Sequence, residues 1–227
     1  MYTVTHGTFR TPRGREVEMS YREDTNDFNV LRSCLDEDEY ALRELSLSGR
    51  ALDIGAHIGG VTVALAIDNP ELHVVAVEAV PPNVDLLREN VERNGLSERV
   101  TIIHAAAGKS GVVKWAFEGS GDVGSHNAFV GNALLALPVE AHETTTLPTR
   151  SLASLVGDGV EFVKIDCEGC EWDMLTPSLS RVARMHGEWH PTDGHTRQDI
   201  AAALTKAGFT FTFSGPLAGP GGFEAWR

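Results

Sequence analysis

Apolar and polar positions along this chain fall into a strand–helix rhythm. Ala51 to Ile54 is a short apolar run of strand length. Val61 to Ile67 is apolar and free of Gly and Pro, which predicts a helix. His73 to Val77 is a β-branched run ending at Glu78. Pro81 and Pro82 then open a helix over Asn83 to Asn94, closed by Gly95. Proline at a helix start and glycine just past its end is the expected asymmetry. Val100 to His104, Val112 to Phe117, Phe162 to Asp166 and Met185 to His190 read as further strands, the second of them antiparallel. Short helices fit Ser151 to Val156 and Glu171 to Leu175, and Thr196 to Ala207 is amphipathic and ends at Gly208. Phe209 to Phe213 and Phe223 to Trp226 read as a terminal antiparallel pair. Strands alternating with helices predict an α/β fold around a largely parallel sheet.

Two stretches stand outside this rhythm. Residues 1–48 precede the first sheet strand, with a hairpin over Thr8 to Tyr21 around Pro12-Arg13-Gly14 and one or two helices over Asp27 to Leu47. Their position predicts a lid or substrate wall, with 49–227 forming the main domain of one globular unit. Gly119 to Gly131 is rich in Gly, Ser and Asn and reads as a long loop with Ser125, His126 and Asn127 as its polar candidates. Long loops are often functional.

The turn after Ile54 carries the first candidate chemistry. Gly55, His57 and Gly60 occupy the three positions of a dinucleotide glycine fingerprint, so the middle one is not glycine. That glycine is needed where a pyrophosphate comes close. A nucleoside ligand without a pyrophosphate fits better, and S-adenosylmethionine has that form. Asp53, Gly55, Ala56, His57 and Gly59 form the candidate turn. Glu78 follows 25 positions after Asp53, near the roughly 20-residue offset of a ribose carboxylate. Ala79 adjoins it, and Ala105-Ala106-Ala107-Gly108 is small enough for a flat ring to approach the backbone.

Charge and cysteine content narrow the classes. With 19 basic and 32 acidic residues among 227, the net charge is −13. Such a balance makes nucleic acid an unfavoured partner, because phosphate neutralisation supplies most of that affinity. Asp36-Glu37-Asp38-Glu39 reads as a solvated run at a helix start. No apolar run reaches the length of a membrane span and no secretory leader pattern opens the chain, so a cytoplasmic protein is expected. Three cysteines, Cys34, Cys167 and Cys170, are too few for a disulfide scaffold. Cys167 and Cys170 form a C-x-x-C spacing without a second pair for zinc, and are expected as packing and turn residues.

The second candidate cluster lies at later strand ends. In Phe162 to Glu171, Lys164 and Asp166 share a side by the two-residue period of a strand. Asp166 falls at the carboxyl end of a parallel strand, the ligand edge of such sheets. Glu168 follows in the turn, and Glu188 and His190 share a side of the next strand. Asp166, Glu168, Glu188 and His190 are therefore candidate catalytic residues. They suit a proton relay, or a divalent cation such as Mg²⁺. His190 is the first choice of base from bare chemistry.

These blocks resemble those of FkbM-family methyltransferases, class I S-adenosylmethionine enzymes. The resemblance rests on Leu52 to Gly59, Val77-Glu78-Ala79, Ala106 to Gly108, Ser151-Leu152, Val163 to Glu171 and Glu188-Trp189-His190. The family often has Asn where this chain has His57, and an aliphatic residue at Cys167. The resemblance implies a Rossmann-like seven-stranded, mostly parallel sheet with helices on both faces and an antiparallel last strand. It implies that Asp53, Gly55 and Gly59 shape the cofactor turn, that Glu78 takes the ribose, and that Asp166 sits between cofactor and acceptor. It implies methyl transfer, usually to a hydroxyl of a sugar, polyketide or other small molecule. An N-methyltransferase acting on an amine or RNA base, or a non-catalytic ligand-binding regulator of the same fold, are the alternatives.

Overall fold

The computed structural model describes residues 3–23, 25–108, 112–118, 128–130, 142–191, 194–216 and 220–227, with backbone alone for 112–118, 128–130 and 142–146. The chain opens with an antiparallel hairpin, β1 (Val4–Arg10) and β2 (Glu16–Arg22), followed by helix α1 (Asp27–Cys34) and a 3₁₀ turn at Leu42–Glu44. Strand β3 (Arg50–Ile54) leads into α2 (Gly60–Asp68), β4 (His73–Glu78) into α3 (Pro81–Arg93), and β5 (Val100–His104) follows. Prolines 81 and 82 lie inside the first turn of α3, where the missing N–H would be unpaired anyway. A two-residue strand β6 (Ala106–Ala107), then β7 (Val112–Glu118), β8 (Ala128–Val130) and β9 (His142–Arg150), make a separate four-stranded sheet in the order β6-β9-β7-β8. The chain continues through α4 (Leu152–Val156), β10 (Val160–Ile165), α5 (Glu171–Met174), β11 (Val182–Trp189), α6 (Arg197–Ala207), β12 (Thr210–Phe213) and β13 (Gly221–Trp226).

The main sheet has seven strands in the order β12-β13-β11-β10-β3-β4-β5. β3, β4, β5, β10 and β11 pair in parallel, and β13 runs against both its neighbours. The central strands are buried on both faces, as parallel strands under helices must be. Their alternation feeds two cores: Ala51 and Phe162 join Leu31, Leu45, Leu65 and Leu87 on one face, while Leu52, Ile54, Val163 and Ile165 join Leu155, Trp189 and Leu204 on the other. Phe9, Met19 and Leu35 pack into the first core, so residues before 49 share it. Asp53 and Lys164 are register partners on that same face.

Two expectations need correction, and one strand had not been expected. The acidic run Asp36 to Glu39 follows α1 and is not merely solvated. Asp38 accepts from the backbone N–H groups of Leu42 and Arg43, at 2.6 and 3.2 Å, and so caps the 3₁₀ turn. The stretch 119–131 contains β8, while Ser125, His126 and Asn127 lie outside the described residues. Strand β9 had no counterpart in the hydrophobic pattern, because Thr144 to Thr146 and Pro148 give neither alternation nor an apolar run.

Candidate active site

The turn after β3 is shaped by its neighbour. Gly55 has φ +76°, and a Cβ there would fall 1.7 Å from the Asp166 carbonyl oxygen. Only glycine lets the ends of β3 and β10 pass this closely. His57 also sits in the left-handed region, at φ +50°, where Asn and His are the more tolerated non-glycine residues. Its backbone N–H donates to Glu78 Oε2 at 2.8 Å, and the Val80 N–H donates to Glu78 Oε1 at 2.8 Å. Burial raises the Glu78 pKa, and these backbone donors act against the rise. Gly55, Ala56, His57, Glu78, Ala79 and Ala106 all line a cavity of about 250 Å³, together with Asp166 and Glu168. Asn26, Val30, Cys34 and Tyr40 of the N-terminal segment complete its wall.

Asp53 and Gly59 do not line this cavity. Asp53 is fully buried, accepts from the Thr62 hydroxyl at 2.6 Å, and lies 3.5 Å from Lys164 Nζ. Lys164 in turn donates to the Gly55 carbonyl at 2.7 Å and lies 3.9 Å from Asp166. Burial alone would favour a neutral amine, but the Asp53 and Asp166 carboxylates outweigh it and raise the lysine pKa. The buried ammonium thus fastens the turn to β10.

A second buried group ties the N-terminal segment to the same turn. Asp27 receives Arg22 Nε and Nη2 at 2.7 and 2.8 Å, and the Arg22 backbone N–H at 3.0 Å. Arg22 Nη2 also donates to Asn83 Oδ1 at 2.7 Å, while His57 Nε2 stands 3.3 Å from Asp27. Burial would raise the Asp27 pKa, but the neighbouring His57 ring and the Arg22 hydrogen bonds overcome it and hold the carboxyl well below the usual range. No spacing in the sequence links Arg22, Asp27 and Asn83.

The four candidate catalytic residues meet at the carboxyl edge of β10 and β11, with Asp166 and His190 one residue past the strand ends. Oxygens of Asp166 and Glu168 and a ring nitrogen of His190 lie within 4.8 Å of one another. His190 Nε2 is 3.4 Å from Glu168 and 3.9 Å from Glu188. Its Nδ1 is 3.1 Å from the fully buried Glu171, whose carboxylate also accepts from the backbone N–H groups of Cys167 and Gly169. Burial alone would lower the His190 pKa; Glu171, then Glu168 and Asp166, raise it to about 9. His190 is thus an imidazolium at neutral pH. Burial, then the charges of Asp166 and Glu39, push Glu188 up to about 7. Burial also raises Glu168, against the pull of His190. The Tyr40 hydroxyl donates to Asp166 Oδ2 at 2.8 Å. Tyr40 and Glu39 carry no motif and come from the far N-terminal segment, so sequence reasoning missed them. Glu171 lay within the Lys164–Glu171 block, and its position four residues after Cys167 was the available signal.

Cys167 and Cys170 form a disulfide, with Cα atoms 5.4 Å apart. This corrects their expected role as packing and turn residues only: the bond closes the turn that holds Glu168 at φ +56°. A loop this short constrains the unfolded chain by roughly 2 kcal/mol in the chain-entropy relation. Dithiothreitol is therefore expected to lower the melting temperature by several degrees, and Cys167→Ser with Cys170→Ser to abolish that sensitivity in thermal denaturation.

The FkbM methyltransferase domain matches residues 53–211. This chain belongs to the FkbM methyltransferase family. It is an S-adenosylmethionine-dependent methyltransferase, and its main sheet is mostly parallel. Among curated proteins, no sequence matches this chain. Among solved structures, a provisionally named O-methyltransferase from Nostoc punctiforme PCC 73102 is similar with a TM-score of 0.52 at 13% identity, covering 89% of this chain and 58% of its own. An O-methyltransferase family protein from Burkholderia thailandensis gives 0.51 at 12% identity, with 89% and 59% covered. This chain therefore spans under two thirds of either structure. A precorrin-6y C5,15-methyltransferase from Geobacter metallireducens GS-15 gives 0.48 at 15% identity, covering 84% and 87%. Among the described residues no helix is long and apolar enough to cross a membrane.

Proposed function

We propose that this FkbM-family protein methylates a hydroxyl of a small-molecule acceptor, with Glu188 as the general base. The carrying observation is the placement of Asp166, Glu168, Glu188 and His190 at one sheet edge, beside the cavity that Gly55 and Glu78 line. The donor set of that cavity suits S-adenosylmethionine: a buried carboxylate for a ribose diol, small alanines for a flat ring, and a glycine turn with no room for a Cβ. The cofactor, when bound, supplies an electrophilic methyl on sulfur. The chain's own residues then have two tasks, to hold the acceptor hydroxyl in line and to take its proton.

His190 is already protonated at neutral pH, so it orients Glu168 and stabilises negative charge rather than accepting the proton. Glu188, raised to about 7, is poised as a base near working pH. Gly55, Glu78 and Ala106 would hold the cofactor, which would supply the methyl group, while Glu188 would take the proton of the acceptor hydroxyl. Asp166, held by Tyr40 and Lys164, positions the hydroxyl. Residues 1–48 serve as lid and substrate wall, through Asn26, Val30, Cys34 and Tyr40.

The Asp166–Glu168–His190 trio offers two carboxylates and one ring nitrogen, whereas Mg²⁺ prefers oxygen ligands. N-methylation of a nucleic-acid base fits poorly with the net charge of −13. The test is incubation with isotopically labelled S-adenosylmethionine and matched alcohol and amine acceptors, read by mass spectrometry. The expected result is label on oxygen, with turnover unchanged by EDTA. Label on nitrogen, cofactor binding without turnover on any hydroxyl, or loss of turnover that Mg²⁺ restores would contradict the reading.

A further inference from the structure

A second cavity, of about 170 Å³, opens on the other side of Tyr40. Register explains its walls. His186 on β11 pairs with Glu224 on β13, and Glu188 lies two residues on, so the three side chains share one sheet face. Glu39, brought in by the N-terminal segment, closes the rim beside Tyr40.

His186 is the informative group. It is 1% exposed, and its Nδ1 is hydrogen-bonded to the Tyr40 carbonyl. A carbonyl only accepts, so Nδ1 carries the hydrogen. Burial lowers the His186 pKa, the Tyr40 bond and the Glu224 charge act against the fall, and the neutral ring leaves Nε2 as a lone pair. That buried nitrogen has no hydrogen-bond partner among the described residues. Glu224 stands 3.7 Å away, but a carboxylate is also an acceptor and cannot satisfy it. Buried polar atoms are rarely left unpaired without a reason. The side chains around the cavity include three carboxylates and this bare nitrogen, with no lysine or arginine among the described residues that line it. Such a wall calls for a cation with several N–H donors. Among the described residues only Asp166, Glu168 and His190 converge tightly enough to suggest a metal ion, so the cation here is organic.

We propose that this cavity binds a protonated amine of the methyl acceptor, held by Glu39, Glu224 and the Nε2 of His186. The acceptor is then a hydroxylated amine of the amino-sugar kind. This rests on the hydroxyl-methylation reading and names its substrate class. The ammonium has no lone pair and is not methylated; it anchors the molecule while a hydroxyl reaches Glu188 at the border with the reacting edge.

The test is a ligand-observed NMR titration of the whole protein saturated with S-adenosylhomocysteine. The probes are 2-amino-2-deoxyglucose, its neutral N-acetyl derivative, and ethanolamine. The amine sugar is expected to bind roughly ten- to a hundred-fold tighter than the N-acetyl form, as charged hydrogen bonds imply. Glu224→Gln and Glu39→Gln should each remove most of that difference while leaving S-adenosylhomocysteine affinity unchanged. Both residues are partly or largely exposed, so the variants should fold. Equal affinity for the two sugars, no saturable binding of either amine, or amine binding indifferent to both substitutions would overturn the proposal. Failure of S-adenosylhomocysteine itself to bind would instead strike the methyltransferase reading.

Discussion

Glu188→Gln is expected to lower kcat by about 10²–10⁴-fold, the usual contribution of a positioned base, with cofactor affinity nearly unchanged. Glutamine keeps the shape and the hydrogen-bonding reach but cannot take a proton. The pH profile carries the more specific expectation. In the wild type, kcat/KM should rise through about pH 7 as Glu188 loses its proton, and fall above about pH 9 as His190 loses its own. The rising limb should vanish in Glu188→Gln and the falling limb should remain. His190→Gln should do the converse. A wild-type profile flat between pH 5 and 9, taken as an order-of-magnitude window around these groups, would remove both from proton handling. A fully active Glu188→Gln would pass the role of base to Glu168 or Asp166.

Asp27→Ala is expected to cost about 3–5 kcal/mol of unfolding free energy, because it removes a buried carboxylate that accepts three hydrogen bonds from Arg22. Arg22 is 2% exposed and Asp27 is fully buried, so water cannot replace the lost partner. Asp27→Asn, which keeps part of the hydrogen bonding, should lose less. The pH dependence has a definite sign. The folded-state pKa of Asp27 is depressed, so its contribution is present above the unfolded value near 3.9 and is lost as pH falls toward the folded one. Denaturant melts should therefore show the wild-type advantage at neutral pH and its shrinkage below about pH 4. A wild-type advantage that persists unchanged into acid would contradict this account of the Arg22–Asp27–His57 group.

Much of the scaffold was legible because its strands are buried on both faces. Ala51 to Ile54 and Phe162 to Ile165 are apolar runs broken only by Asp53 and Lys164, and those two interruptions form a buried ion pair. Helix ends were marked by Pro81, Gly95, Thr196 and Gly208, each of which sits at or just beyond a helix end. In the sheet of β6 to β9 only β7 was legible, as the run Val112 to Phe117; β6, β8 and β9 carry no strand pattern in sequence. The two chemistry-bearing strand ends could be read because side-chain period and strand direction place them. What could not be read was anything that depends on chain segments far apart. Tyr40 reaches Asp166 across 126 positions, and Glu39 joins Glu188 only because the N-terminal segment folds over β11. The protonation of His190 was equally hidden, since it depends on Glu171 being buried against the ring.

The central claim is that the cavity between Gly55 and Glu78 holds S-adenosylmethionine. Calorimetric titration with S-adenosylhomocysteine tests it most directly, comparing wild type with Glu78→Ala and using far-UV circular dichroism to establish folding. The account predicts one site per chain, weakened in the variant by on the order of 10–100-fold, since a charged hydrogen bond contributes roughly 1.5–3 kcal/mol. An equal affinity in a folded Glu78→Ala protein, or no binding by the wild type, would contradict it.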